Sequence, residues 1–197
     1  LSANSVAQTK IKIVNLGNFS PDQTSRIDVI MNNLEQIINS RDFMERVVNH
    51  RINGEFRYEE NNNESNYEIY SKIMSGYELL DANIDYKWTL NLNLKWFFTL
   101  RTRAYTYFTK PEIYINSRYY NRGMDAEIAG TICHEYMHKL GYSHSKEYTD
   151  IRPYTVPYSI GDICEILYIN NFGDFMIKEE SCNLWCRFKR YVNGRLK

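Results

Sequence analysis

Three of the chain's four histidines, His134, His138 and His144, fall within one stretch of eleven residues, with Glu135 and Gly141 between them. On a helix that turns 100° per residue, His134 and His138 lie about 40° apart and one turn above each other, so two imidazoles face one point. Gly141 is placed to end that helix in a left-handed conformation, which lets the chain fold back and bring His144 to the same point. The segment therefore predicts a helix over 125–141 with one side in a core and the other at a cleft. Ile128, Ala129, Ile132, Cys133, Tyr136, Met137 and Leu140 fall within about 180° of the helical wheel, opposite His134 and His138. Asp125 can cap the N-terminus of this helix, and Glu127 suits its first turn.

The residue types point to metal chemistry. Three imidazoles suit zinc and leave its fourth position to water, which is the arrangement of a catalytic site. Glu135 projects about 100° from His134, near the metal without being a ligand, and is placed to act as a general base. A closed structural site, with a fourth ligand from a cysteine or from His50, has no need of Glu135 at that spacing. His50, in Val47-Val-Asn-His-Arg51, reads as an ordinary surface or helix-end residue and takes no role.

The rest of the chain supplies the frame. Thr9–Val14 alternates and is rich in β-branched residues, which predicts a first strand. Ser20-Pro21-Asp22 opens a helix whose Ile27, Ile30, Met31, Leu34, Ile37 and Ile38 form one apolar stripe, suited to lie against a sheet. Residues 54–68, with five glutamates around Asn61-Asn62-Asn63, read as a solvated loop. Tyr86–Trp96 alternates strongly and predicts a strand. Arg103–Phe108 and Glu112–Asn116 follow as two more, the second behind Pro111, a placement typical of a sheet edge. A short helix is expected over 158–171, and a basic, solvated tail over 187–197. With 197 residues, 43% of them hydrophobic, and no repeat or linker, one compact domain is expected. Its N-terminal lobe, with the histidine helix, spans 1–141 and its C-terminal lobe 142–197.

Charge and composition exclude two partner classes. Lys plus Arg equals Asp plus Glu at 24 each, which argues against nucleic-acid binding driven by charge. No apolar run approaches the roughly 18 residues of a membrane span. The four cysteines, at 133, 164, 182 and 186, fit disulfides in an oxidising compartment, with three pairings open. Buried free thiols are the competing reading. The expected location is secreted or periplasmic. Leu1 rather than Met opens the chain, which leaves a removed leader and a trimmed chain as alternatives.

The run His134-Glu-x-x-His138-x-x-Gly141-x-x-His144 resembles the zinc signature of the metzincin clan of metallopeptidases, which includes astacins, adamalysins, serralysins and matrixins. The order of predicted elements is compatible with that clan over most of the chain. The resemblance implies an α+β, zincin-like fold: a twisted mixed sheet, a backing helix, an active-site helix, and a small, mostly irregular or helical C-terminal lobe. It implies a zinc endopeptidase with His134, His138 and His144 as ligands and Glu135 as base, acting as a monomer on protein substrates. It also implies that a substrate peptide pairs with Glu112–Asn116 as an edge strand. The clan places a methionine in a turn beneath the zinc, often with a tyrosine two residues on. Here either Met176 makes that turn, or Val156-Pro157-Tyr158 replaces it and sets Tyr158 near the metal to help stabilise the oxyanion. The subfamily stays open. The alternative function is a zinc-containing secreted binding or toxin-associated module without turnover, a reading favoured by the missing methionine turn and by the 17 Tyr and 21 Asn.

Overall fold

The computed structural model describes residues 8–99 and 101–173, and Met176, Cys182, Cys186 and the basic tail lie outside them. The elements run β1 (Lys10–Gly17), α1 (Pro21–Ile38), α2 (Arg41–Val48), α3 (Asn66–Ser75), β2 (Lys87–Lys95), β3 (Ala104–Thr106) and β4 (Glu112–Asn116). Then come α4 (Ser117–Arg122), α5 (Asp125–Lys139), a 3₁₀ turn at Arg152–Tyr154, and α6 (Val156–Phe172). This is a mixed α/β architecture, consistent with the expected α+β class.

The sheet order is β1-β2-β4-β3, with β1, β2 and β4 parallel and β3 antiparallel to β4. Alternation along β2 sends Trp88, Leu90, Leu92 and Leu94 into the core, while Thr89, Asn91 and Asn93 stay half-buried on the other face. The register slips between Ile13 and Asn15, so Val14 has no partner and remains exposed. The whole predicted stripe of α1 is buried, and its N-terminus is closed by a capping box between Ser20 and Gln23.

One expectation about the sheet is corrected. Glu112–Asn116 is not an edge, because β2 pairs with it on one side and β3 on the other. Pro111 lies just outside the strand, where it removes no ladder N–H, so it does not mark an edge. The chain doubles back through the turn after β3, and the three-residue β3 becomes the edge beside the cleft. The acidic segment also differs from the expected solvated loop. Ser65 caps α3 in a capping box with Glu68, and Glu64 accepts hydrogen bonds from the Tyr142 hydroxyl and from Lys72 Nζ, the latter at 2.9 Å. Residues 66–68 are therefore helical.

The helix α5 starts one residue differently from the cap expected. Met124 is the cap position, and Asp125 is drawn into an ion pair with Arg26 at 2.6 Å. Arg26 also donates to the carbonyls of Tyr120 and Gly123, tying α1 to the start of α5. At the other end Gly141 takes φ +97°, the left-handed conformation its position required.

The expected short second helix is 17 residues long and crosses α5 at two glycines. A Cβ on Gly161 would lie 2.9 Å from the Gly130 carbonyl oxygen and 3.3 Å from His134 Cβ. Helix backbone cannot yield as a side-chain tip can, so Gly161→Val is expected to force α5 and α6 apart. Chemical denaturation should show a loss of about 2–3 kcal/mol. Ile169→Val, on the same helix but 39% exposed, should change stability by under about 1 kcal/mol. Cys133 and Cys164 face each other near this crossing, both fully buried and unbonded, with sulfurs 2.7 Å apart. Cys133 and Cys164 are therefore buried thiols, and the expected pairing of four cysteines involves two that lie outside the described residues.

Candidate metal centre

Helix α5 carries His134 and His138, and the turn at Gly141 returns His144 to them, so one ligand nitrogen from each falls within 4.8 Å of the others. The three residues can therefore hold a metal ion, as their spacing predicts. Their second ring nitrogens decide which atoms face inward. His138 Nδ1 donates to the Tyr142 carbonyl at 2.7 Å, and His144 Nδ1 donates to the Ser145 carbonyl at 2.9 Å. His134 is hydrogen-bonded to the Pro157 carbonyl. A carbonyl only accepts, so in His138 and His144 the proton sits on Nδ1 and Nε2 carries a bare lone pair. His134 Nε2 and His144 Nε2 are 3.1 Å apart. Nitrogens this close can face one cation, which accepts the lone pair of each. This orientation of ligands by backbone carbonyls is the outer-shell support that metal-binding imidazoles need.

The electrostatics agree. Burial lowers His134 well below the usual imidazole range, helped by the neighbouring His138, His144 and Arg152. Burial lowers His138 to about 4. Both rings are therefore neutral, and ready to ligate, at neutral pH.

Glu135 is 6% exposed, on the side of α5 turned toward β3. Burial raises its carboxyl to about 8, and a hydrogen bond from the Thr106 backbone N–H opposes that rise. This N–H is available because the Arg103 carbonyl accepts from Asn116 N–H at 2.8 Å. Alternation along an antiparallel pair then turns Arg103 and Tyr105 toward β4, and Ala104 and Thr106 outward to the cleft.

Tyr158 stands in the first turn of α6, with its ring against His134 (centroids 4.4 Å apart) and His144 (4.9 Å). The Val156–Tyr158 stretch thus lies directly on the cluster, with Val156 and Pro157 buried behind it. Three contributors were not foreseen from the sequence. Phe108, in the turn after β3, packs edge-on to His138 at 6.1 Å. Thr106 contacts Glu135, and the Arg152 guanidinium lies 4.9 Å from the centre of the Tyr158 ring. None belongs to a motif; each arrives through a loop or strand end that only folding brings near. His50 is remote in role, as expected: it follows α2 and stacks on Tyr58 at 4.2 Å.

The opposed shifts give a pH signature for the metal-free chain. Glu135 titrates near 8 when folded and near 4.5 when unfolded, so its favourable contribution is complete below pH 4.5 and is lost as pH rises through 8. His138 behaves oppositely: its contribution is present above pH 6.5 and is lost as pH falls through about 4. In chelator, the stability of Glu135→Gln relative to the unsubstituted chain should increase from pH 4.5 to pH 8, by on the order of 4 kcal/mol. Urea unfolding across that range reads the difference; a constant difference would mean that Glu135 is already ionised in the metal-free fold.

No family model, no curated protein and no solved structure matches this chain. What the fold and the site define is a mixed α/β protein with a half-buried three-histidine cluster able to hold a metal ion. Among the described residues, no helix is long and apolar enough to cross a membrane.

Proposed function

We propose that this chain is a metzincin-like, zinc-dependent endopeptidase. The observation that carries the reading is the convergence of three imidazoles, two with Nε2 bared by backbone carbonyls, beside a buried carboxylate that is not one of the ligands. His134, His138 and His144 would hold the zinc, which would supply Lewis-acid activation of a water and of the peptide carbonyl. Glu135 takes the proton from the attacking water and passes it to the leaving amine as the C–N bond breaks. A purely structural metal site has no use for this carboxylate. Tyr158, resting on two of the ligands, donates its hydroxyl to the carbonyl oxygen as negative charge develops there. In this role Val156–Tyr158 takes the place of a methionine turn.

The substrate peptide extends along β3, whose Ala104 backbone groups and Thr106 carbonyl face the cleft, and adds a strand to the sheet. This assignment replaces β4, whose two edges are already paired. An all-imidazole ligand set with a carboxyl group beside it suits zinc. A secreted or periplasmic location fits an enzyme that degrades proteins outside the cytosol.

The test is cleavage of an unfolded protein by the zinc-loaded chain, followed by chelation and zinc restoration. Cleavage should disappear with chelator and return with one zinc per chain. Zinc bound without cleavage of any member of a broad peptide library would instead favour the binding-module alternative.

A further inference from the structure

Arg152 is a strongly basic side chain packed onto Tyr158, beside the histidine cluster. It lies in the 3₁₀ turn just before α6 and is half-buried. Its guanidinium sits 4.9 Å from the Tyr158 ring centre, shares a hydrogen bond with the Tyr158 side chain, and donates through Nη1 to the Lys146 carbonyl at 3.2 Å. These neutral groups take two of the five guanidinium donors and Nε is enclosed, which leaves two donors, and no carboxylate among the described residues pairs with Arg152.

A half-buried guanidinium with no carboxylate partner among the described residues is costly by itself, and it is costlier beside a cluster able to hold a second cation. The arrangement is relieved when an anion enters and faces both. A planar guanidinium with free donors is the side chain best matched to a carboxylate. We propose that Arg152 is a specificity-determining residue that recognises a substrate carboxylate within one residue of the scissile bond. The inference rests on the endopeptidase reading for the word substrate, but not for the recognition itself. A carboxylate of this kind has two sources, an Asp or Glu side chain or the free C-terminus of a peptide.

The experiment separates both sources and keeps binding apart from turnover. Zinc-loaded Glu135→Gln chain is titrated calorimetrically with N-acetylated peptides identical except for one group: Glu against Gln within the peptide, and free against amidated C-terminus. One of the two acid peptides should bind at least about 10-fold more tightly than its neutral twin. Adding Arg152→Gln should bring that ratio to about one, and Arg152→Lys should retain part of it. A general structural role would weaken acid and neutral peptides equally and leave the ratio unchanged, which would overturn the proposal. So would ratios near one in both pairs with Arg152 intact. If the Glu135→Gln chain binds no zinc, the endopeptidase reading fails instead. The carboxylate preference can then be measured on the metal-free chain.

Discussion

Replacing Glu135 with Gln is expected to leave one zinc per chain and to cut peptide cleavage by about 10²–10⁴-fold, the usual contribution of a positioned general base. The separation of the two effects follows from the geometry. Glu135 is not among the three side chains whose ligand atoms converge, and its own neighbour is the Thr106 N–H on β3. Gln keeps the size and a hydrogen-bonding carbonyl for that N–H, so β3 should stay in place. It cannot take up a proton at neutral pH, so the step that needs one stalls. Cleavage rates on a quenched peptide, with zinc measured on the same samples, check both halves. Undiminished cleavage would remove Glu135 from the reaction.

The second large effect concerns the metal. His138→Ala should lower zinc affinity by at least about 100-fold, more than the 10–100-fold typical of losing an outer-shell partner, because a ligand itself is lost. The substitution also strands the Tyr142 carbonyl that His138 Nδ1 satisfies at 2.7 Å. In the unsubstituted chain, zinc at 100 times its Kd should stabilise the fold by about 2.7 kcal/mol, and His138→Ala should show little of that gain. His50→Ala, which removes the histidine outside the cluster, should bind zinc normally. Competition against a chromophoric chelator measures the affinities, and an unchanged value for His138→Ala would exclude the cluster as the metal centre.

The two predictions draw on different kinds of legibility. The ligands were readable because they sit on one continuous helix and its closing turn, where spacing fixes angle and a glycine at φ +97° fixes the reversal. The apolar stripe of α1 and the alternation of β2 were readable for the same reason: both are periodic, and burial follows the period. The short helices α2 and α3 were not foreseen. Each buries few side chains, and the acidic, Asn-rich run before α3 looks like solvated loop until Ser65 and Glu68 close its cap. The edge strand was misassigned because strand order depends on non-local pairing, and Pro111 carries the same local signal just before an internal strand as on an edge.

The sequence by itself determined the convergence of His134, His138 and His144, the adjacent Glu135 and the helix that carries them, because all three depend on residues within one turn or two of one another. Local backbone orients His138 and His144, through the carbonyls of Tyr142 and Ser145, whereas only tertiary structure brings the Pro157 carbonyl to His134. Tertiary structure alone set Tyr158 on the cluster, through the close crossing of α5 and α6 at Gly130 and Gly161. It also placed Arg152 and β3 beside the cleft. These are contacts between segments distant in the chain, and their geometry is fixed by packing, which no local spacing records.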